Sequence, residues 1–282
     1  MGSLGAMSDP LSWLRAPCVM GILNATPDSL WGGSGALEPA AAMERLDRMV
    51  RDGAAICDVG AESTRPGSEP VGAAEQLARL DGVLRAVREN PPAIALSVDT
   101  SLASVAAAAL DAGAVLVNDV TAGRGDPDLL PLVAERGAGI CLVHMRGDPR
   151  TMQADPRYAD VVGEVAAFLQ ERAAFAIARG VAPERIQVDP GIGFGKTLEH
   201  NLELLRRLDE IAALGFPVVV GVSRKSFLGA LTGRQAPASR VAATVAANVL
   251  AFERGGRIFR VHDVAATVDA LKVATASLRA DG

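Results

Sequence analysis

The chain is short of the residues that most often carry metal or covalent chemistry. It has three histidines, three cysteines, three lysines and only 4% aromatic residues. Cys18, Cys57 and Cys141 are odd in number and far apart, so neither a disulfide framework nor a cysteine metal site is expected. His144, His200 and His262 form no His-Glu-x-x-His pattern, which argues against a zinc hydrolase. There is no Gly-x-Ser-x-Gly elbow, and no cysteine is convincingly matched to a histidine, so covalent catalysis is not expected. No apolar run reaches the roughly 18 residues of a membrane span. The first two dozen residues lack a basic head followed by a long apolar run, so no secretory signal is expected and a cytoplasmic location is the default. A net charge of -5 gives no support to a nucleic-acid or membrane partner. It leaves room for an anionic ligand in a locally basic pocket.

What is present is a repeat. Eight short apolar runs are expected as buried strands: 18–24, 54–60, 93–99, 114–120, 138–144, 185–189, 217–223 and 257–262. Helical stretches lie between them, at 36–53, 73–90, 101–113, 158–180, 201–215, 241–256 and 264–280. Leu46, Met49 and Val50 share one face of the first. Pro39 sits early enough to be tolerated, and Thr100 or Ser101 is expected to cap the third. Strands alternating with helices give a parallel sheet with right-handed crossovers. With 282 residues, the count and length favour a single closed (β/α)8 TIM barrel over a doubly wound sheet. Residues 1–15 read as a flexible N-terminal segment, and 16–282 as one barrel domain.

The strand ends turn polar: Asn24, Asp58, Asp99, Asn118 with Asp119, His144, Asp189, Ser223 with Lys225, and Arg260 with His262. In a barrel these ends share one rim, where active sites lie. Buried carboxylates there are costly unless paired, so the set points to a polar ligand or a metal. Oxygen donors such as Asn24 suit Mg2+, which usually arrives with substrate phosphates. The segment DPGIGFGKT, 189–197, ends like a phosphate-cradling loop, but Pro190 stands where the first glycine is needed. Its glycines instead permit a tight turn that a flat ligand can approach, with Phe194 either stacking on that ligand or closing the loop, and Lys196 reads as a solvated loop charge. In DVGAESTRPGSEPV, 58–71, Ser63, Thr64 and Arg65 crowd anion donors onto a turn set by Pro66 and Gly67, and Glu62 reads as a brace for the loop. Arg260 and His262 alternate near the chain end and add to an anion cluster with Arg65.

Together the segments GILNATPDS, DVGAESTRPGSEPV, SVDT, VNDV, HMRGDPRTMQ, DPGIGFGKT, GVSRKSFLG and FRVHD resemble the dihydropteroate synthase family, in family order over about residues 18–278. The resemblance implies a homodimeric transferase of folate biosynthesis. Such an enzyme joins 6-hydroxymethyl-7,8-dihydropterin diphosphate to 4-aminobenzoate with Mg2+, and releases diphosphate. It implies a pterin pocket of Asp99, Asn118, Met145, Asp189, Phe194 and Lys225. Diphosphate would meet Thr64, Arg65, Arg260 and His262, and 4-aminobenzoate would meet Arg65, Pro66 and Ser223. Asn24 matches the Mg2+ ligand, and Asp99, Lys225, Arg65 and Asn24 take the catalytic roles.

The first loop departs from the family pattern. Leu30, Trp31, Gly32 and Gly33 stand where a phenylalanine and a loop acid are usual, and Ala61 replaces a usual glycine. Three other readings are weighed: a non-catalytic pterin-binding paralogue, a methyltetrahydrofolate-dependent methyltransferase, and a phosphate-binding barrel isomerase or aldolase. The methyltransferase has little need for the STRPG and RVHD segments, because its substrate carries no diphosphate.

Overall fold

Each apolar run becomes a strand: β1 (Cys18–Asn24), β2 (Ile56–Gly60), β3 (Ala95–Asp99), β4 (Leu116–Asp119), β5 (Gly139–Val143), β6 (Ile186–Asp189), β7 (Val218–Val220) and β8 (Gly256–Val261). Only β8 begins outside its predicted run, by one residue. This computed structural model describes residues 17–25, 38–65 and 67–278. Every neighbouring pair is parallel, and β8 pairs back to β1, so the sheet closes into an eight-stranded barrel. The expected N-terminal segment 1–15 lies outside the described residues.

Ten α-helices surround the barrel among the described residues: α1 (Pro39–Arg51), α2 (Ala73–Glu89), α3 (Ala103–Asp111), α4 (Leu129–Glu135), α5 (Val161–Ala178), α6 (Leu198–Arg206), α7 (Leu208–Ala212), α8 (Ser226–Thr232), α9 (Val241–Glu253) and α10 (Val264–Leu278). The single helix expected at 201–215 starts earlier and breaks at Arg207 into α6 and α7. The Arg207 side chain turns to Asp160, Glu203 and Glu210 there. The expected Thr100 or Ser101 cap of α3 does not form. Ser101 Oγ donates to Asp119, and the first helical N–H, of Ala103, donates to Asp126 at 2.8 Å. A carboxylate from the β4–α4 loop thus does the capping expected of Thr100 or Ser101.

Inside the barrel, Met20, Ile56, Leu116, Cys141, Val143, Val219 and Ile258 form one apolar cluster. Two larger clusters fill the space between strands and helices, one around Leu46, Leu80 and Leu129, the other around Leu169, Leu204 and Ile211. This apolar cluster reaches the rim at Val143, where other strand ends bring in polar side chains such as Asp99, Asn118 and Asp189. The three cysteines are free and buried. Burial pushes each thiol up, Cys18 to about 12.

Candidate active site

Parallel pairing lines the rim up residue by residue. Asn24 stands opposite Gly60, Gly60 opposite Asp99, Asp99 opposite Asn118, and Val143 opposite Asp189. Side chains from separate strand ends therefore meet over one opening. A cleft of about 510 Å³ lies there, lined among others by Asn24, Thr64, Arg65, Asp99, Asn118, Asp189, Phe194, Ser223, Lys225, Arg260 and His262.

Its floor is a charge network. Arg260 Nε donates to Asp58 at 2.6 Å and its Nη2 to Asp99 at 2.7 Å, while Asn118 Nδ2 donates to the same Asp58 oxygen at 3.0 Å. Two of the five guanidinium N–H donors are thus engaged by carboxylates. Burial works against the Arg260 charge, yet Asp58 and Asp99 outweigh it and hold the guanidinium above its ordinary value. Asp99 goes the other way. Burial, reinforced by Asp58, Glu62 and Asp119, overcomes Arg260 and pushes its carboxyl up to about 7. Burial also raises Asp189, against the Gly191 N–H bond and the pull of Lys225. It lowers Lys225 to about 8 despite Asp189. Lys225 Nζ lies 3.7 Å over the Phe194 ring, a cation–π contact.

The basic wall adjoins this floor. His262 Nδ1 and Ser223 Oγ are 2.9 Å apart, and Ser223 Oγ accepts the His262 N–H. The hydroxyl has its hydrogen free to donate to Nδ1 in the tautomer that carries the imidazole proton on Nε2. Burial, with Arg224, Arg260 and Arg65 nearby, holds His262 down at about 4, so the ring is neutral near pH 7. Arg224 adopts a left-handed φ of 57° and grips Asp263 with two hydrogen bonds of 2.9 and 2.6 Å. Arg240 donates to the carbonyls of Arg224, Arg234 and Gln235. This bracing fixes the strained turn between Ser223 and Lys225.

Residues 20–262 match the pterin binding enzyme family. The dihydropteroate synthase of Neisseria meningitidis serogroup C is 45% identical over 262 residues, covering 92% of each chain. This chain belongs to the dihydropteroate synthase family. Among solved structures, the Xanthomonas albilineans dihydropteroate synthase with 4-aminobenzoic acid superposes with a TM-score of 0.86 at 46% identity, covering 94% of each chain. The same enzyme in complex with 7,8-dihydropteroate gives 0.82 at 43% identity, over 94% of this chain and 95% of that one.

Of the site residues expected from this family, all but two line the cleft. Met145 is buried and does not line it; its carbonyl accepts from Arg124. Pro66 lies outside the described residues, as does the divergent first loop at Leu30–Gly33. Glu62 is the expected brace: it accepts from Val71 N and from Gln76. Lys196 departs from its reading as a solvated charge. It is 3% exposed, and its ammonium is held by His144 Nδ1 and the carbonyls of Gly191 and Phe194. Sequence reading gave Asp58 no specific role and passed over Arg240. Asp58 stood out only as one polar strand end among many, and Arg240 follows a loop sequence that carries no signal.

Proposed function

We propose that this protein condenses 6-hydroxymethyl-7,8-dihydropterin diphosphate with 4-aminobenzoate to give 7,8-dihydropteroate and diphosphate. The observation that carries the reading is convergence. Asp99, Asn118, Asp189 and Lys225 share one cleft with Thr64, Arg65, Arg260, His262 and Ser223. In this reading the carboxylate of Asp189 and the amide of Asn118 hold the polar edge of the pterin. Phe194 covers a face, and Lys225 meets a ring nitrogen or carbonyl.

The C–O bond to diphosphate breaks with its electron pair leaving on the diphosphate oxygen. Positive charge collects at the exocyclic methylene, next to Asp99. The aniline nitrogen then supplies the pair for the new C–N bond and gives up a proton. Thr64, Arg65, Arg260 and His262 receive the departing anion, and Arg65, Pro66 and Ser223 orient the aminobenzoate. Catalysis is positioning plus charge fixed in advance, and the transfer needs no protein nucleophile.

Mg2+ belongs to the proposal. Among the described residues no cluster of three or more His, Cys, Asp or Glu is placed to hold a metal. Asn24 offers one hard oxygen in the cleft, the donor set of an ion that comes bound to substrate phosphates. When bound, the ion neutralises the leaving diphosphate. A homodimer and a cytoplasmic location are further parts of the reading. α9 and α10 pack together and carry the exposed Leu250, Val273 and Leu278, and three free thiols suit a reducing compartment.

The test is a turnover assay with both substrates and Mg2+. Dihydropteroate formation supports the synthase. Pterin binding without product would leave a binding paralogue.

A further inference from the structure

A fully buried lysine is rare, and the exceptions are paired. Lys196 has only neutral groups as direct hydrogen-bond partners, and the Asp189 carboxylate acts on it from beyond hydrogen-bond contact. Its Nζ sits 2.9 Å from His144 Nδ1, 3.0 Å from Gly191 O and 3.1 Å from Phe194 O. An ammonium has three N–H donors and no acceptor, so each hydrogen has one partner. The His144 nitrogen must then accept, which leaves its proton on Nε2. Burial, reinforced by Lys196, drives His144 down to about 2, so the ring stays neutral and able to accept. Phe168 meets that ring edge-on at 4.9 Å and fixes its orientation.

The loop is wound around this ammonium. Gly191 turns at a left-handed φ of 64°, and a Cβ there would come within 1.8 Å of the His144 carbonyl. Gly191 N–H donates to Asp189 Oδ1 at 2.7 Å, and Phe194 N–H to the Gly191 carbonyl at 2.9 Å. Outer braces come from Asn201 and Gln153 to Gly193, and from Tyr158 to the Gly195 carbonyl. Lys196 is the inner one: it bonds the carbonyl that follows Asp189 by two residues and the carbonyl of Phe194 itself. None of its hydrogens points to the cleft, which it does not line.

We propose that Lys196 is a positioning residue for the pterin: its ammonium, seated on His144, folds the 189–197 loop so that Asp189 and Phe194 are presented together, and it sets affinity for the pterin without touching it. The proposal rests on the synthase reading above, and it separates the two substrates. Phe194 lies in this loop and Asp189, which ends β6, has its carboxylate held by the loop's Gly191 N–H, whereas Arg65 and Ser223, assigned to aminobenzoate, are carried by other loops.

The test compares wild type with Lys196→Met, which keeps the stem and removes every donor, and with Lys196→Gln, which keeps an amide donor on a shorter stem. The Michaelis constants for pterin diphosphate and for 4-aminobenzoate are measured for each, with direct pterin titration and a thermal melt. At pH 6, where the ammonium is mostly charged, we expect the pterin constant to rise ~10-fold in Lys196→Met, the size of one lost charged hydrogen bond. The aminobenzoate constant should stay within about twofold, and Lys196→Gln should fall between. An unchanged pterin constant in the folded methionine variant overturns the proposal, and so does an equal rise in both constants. Should both variants fail to fold, 15N spectra of histidine-labelled wild type at pH 6 decide. Burial lowers Lys196 to about 7, so it is mostly charged there, and His144 must appear with Nδ1 unprotonated. A protonated Nδ1 overturns the proposal. Wild type that binds no pterin at all would instead strike the synthase reading, a result the variants cannot mimic.

Discussion

Replacing Arg260 by methionine removes a guanidinium that lies 2.6 Å from Asp58 and 2.7 Å from Asp99. Methionine retains much of the stem's bulk, so the change is mainly one of charge. Asp58 is fully buried, and its Oδ1 has no hydrogen-bond partner among the described residues. After the substitution it keeps only the Asn118 amide. Breaking a buried ion pair from one side costs about 3–5 kcal/mol. At about 2–4 °C per kcal/mol for a large domain, the melting temperature should fall by about 10 °C.

The loss depends on pH with a definite sign. The Asp99 carboxyl is pushed up to about 7 from an ordinary 3.8 even with Arg260 beside it. The folded state therefore holds its proton more tightly than the unfolded chain does. That contribution is fully present below about 3.8 and is lost as pH rises through 7. Without Arg260 the folded value rises further, and the loss continues at higher pH. Melts by circular dichroism at pH 6 and pH 8.5 should show a gap between wild type and variant at both values, wider at the higher pH. Adding Asp58→Asn to the variant should return part of the loss, with a coupling of about 1 kcal/mol or more in the double-mutant cycle. Equal losses at both pH values, or strictly additive substitutions, would refute the argument.

Asp189→Asn should weaken pterin binding at least ~10-fold, since an amide cannot replace both acceptor oxygens of a carboxylate; a fluorescence titration with unchanged affinity would reject its role. Burial lowers Lys225 to about 8 against the pull of Asp189, so kcat/KM for the pterin substrate should decline as pH rises through about 8. Lys225→Gln should be slow and lack that limb, and a profile that keeps it assigns the titration elsewhere. Chelation of Mg2+ should suppress turnover while leaving free pterin binding intact, and full activity in chelator would remove the metal from the mechanism.

The barrel was legible because its strands are short apolar runs with polar ends, a local signal repeated eight times. The rim was legible for the same reason: Asp99 and Asp189 each end a strand, and Asn118 stands one residue before the end of β4. What stayed hidden depends on closure. Asp58 and Arg260 are 202 positions apart in sequence and meet only when β8 returns to β1. Nothing near Asp58 announces its partner. Lys196 was hidden differently. A lysine after glycines looks solvated until the loop folds its own carbonyls back over the ammonium. α8 escaped notice because it is seven residues long and contains Gly229. The break at Arg207 was masked by an apolar pattern that runs on through both pieces.

The sealed thiols of Cys57 and Cys141, both 0% exposed, have a practical consequence. A reagent that reads sulfur must wait for the barrel to open, so its rate is a clock for opening rather than for surface chemistry. A ligand that binds only the closed form slows that clock by the factor one plus its concentration over Kd. Occupancy by pterin, aminobenzoate or diphosphate is then measurable one at a time on the unmodified protein, with no turnover required.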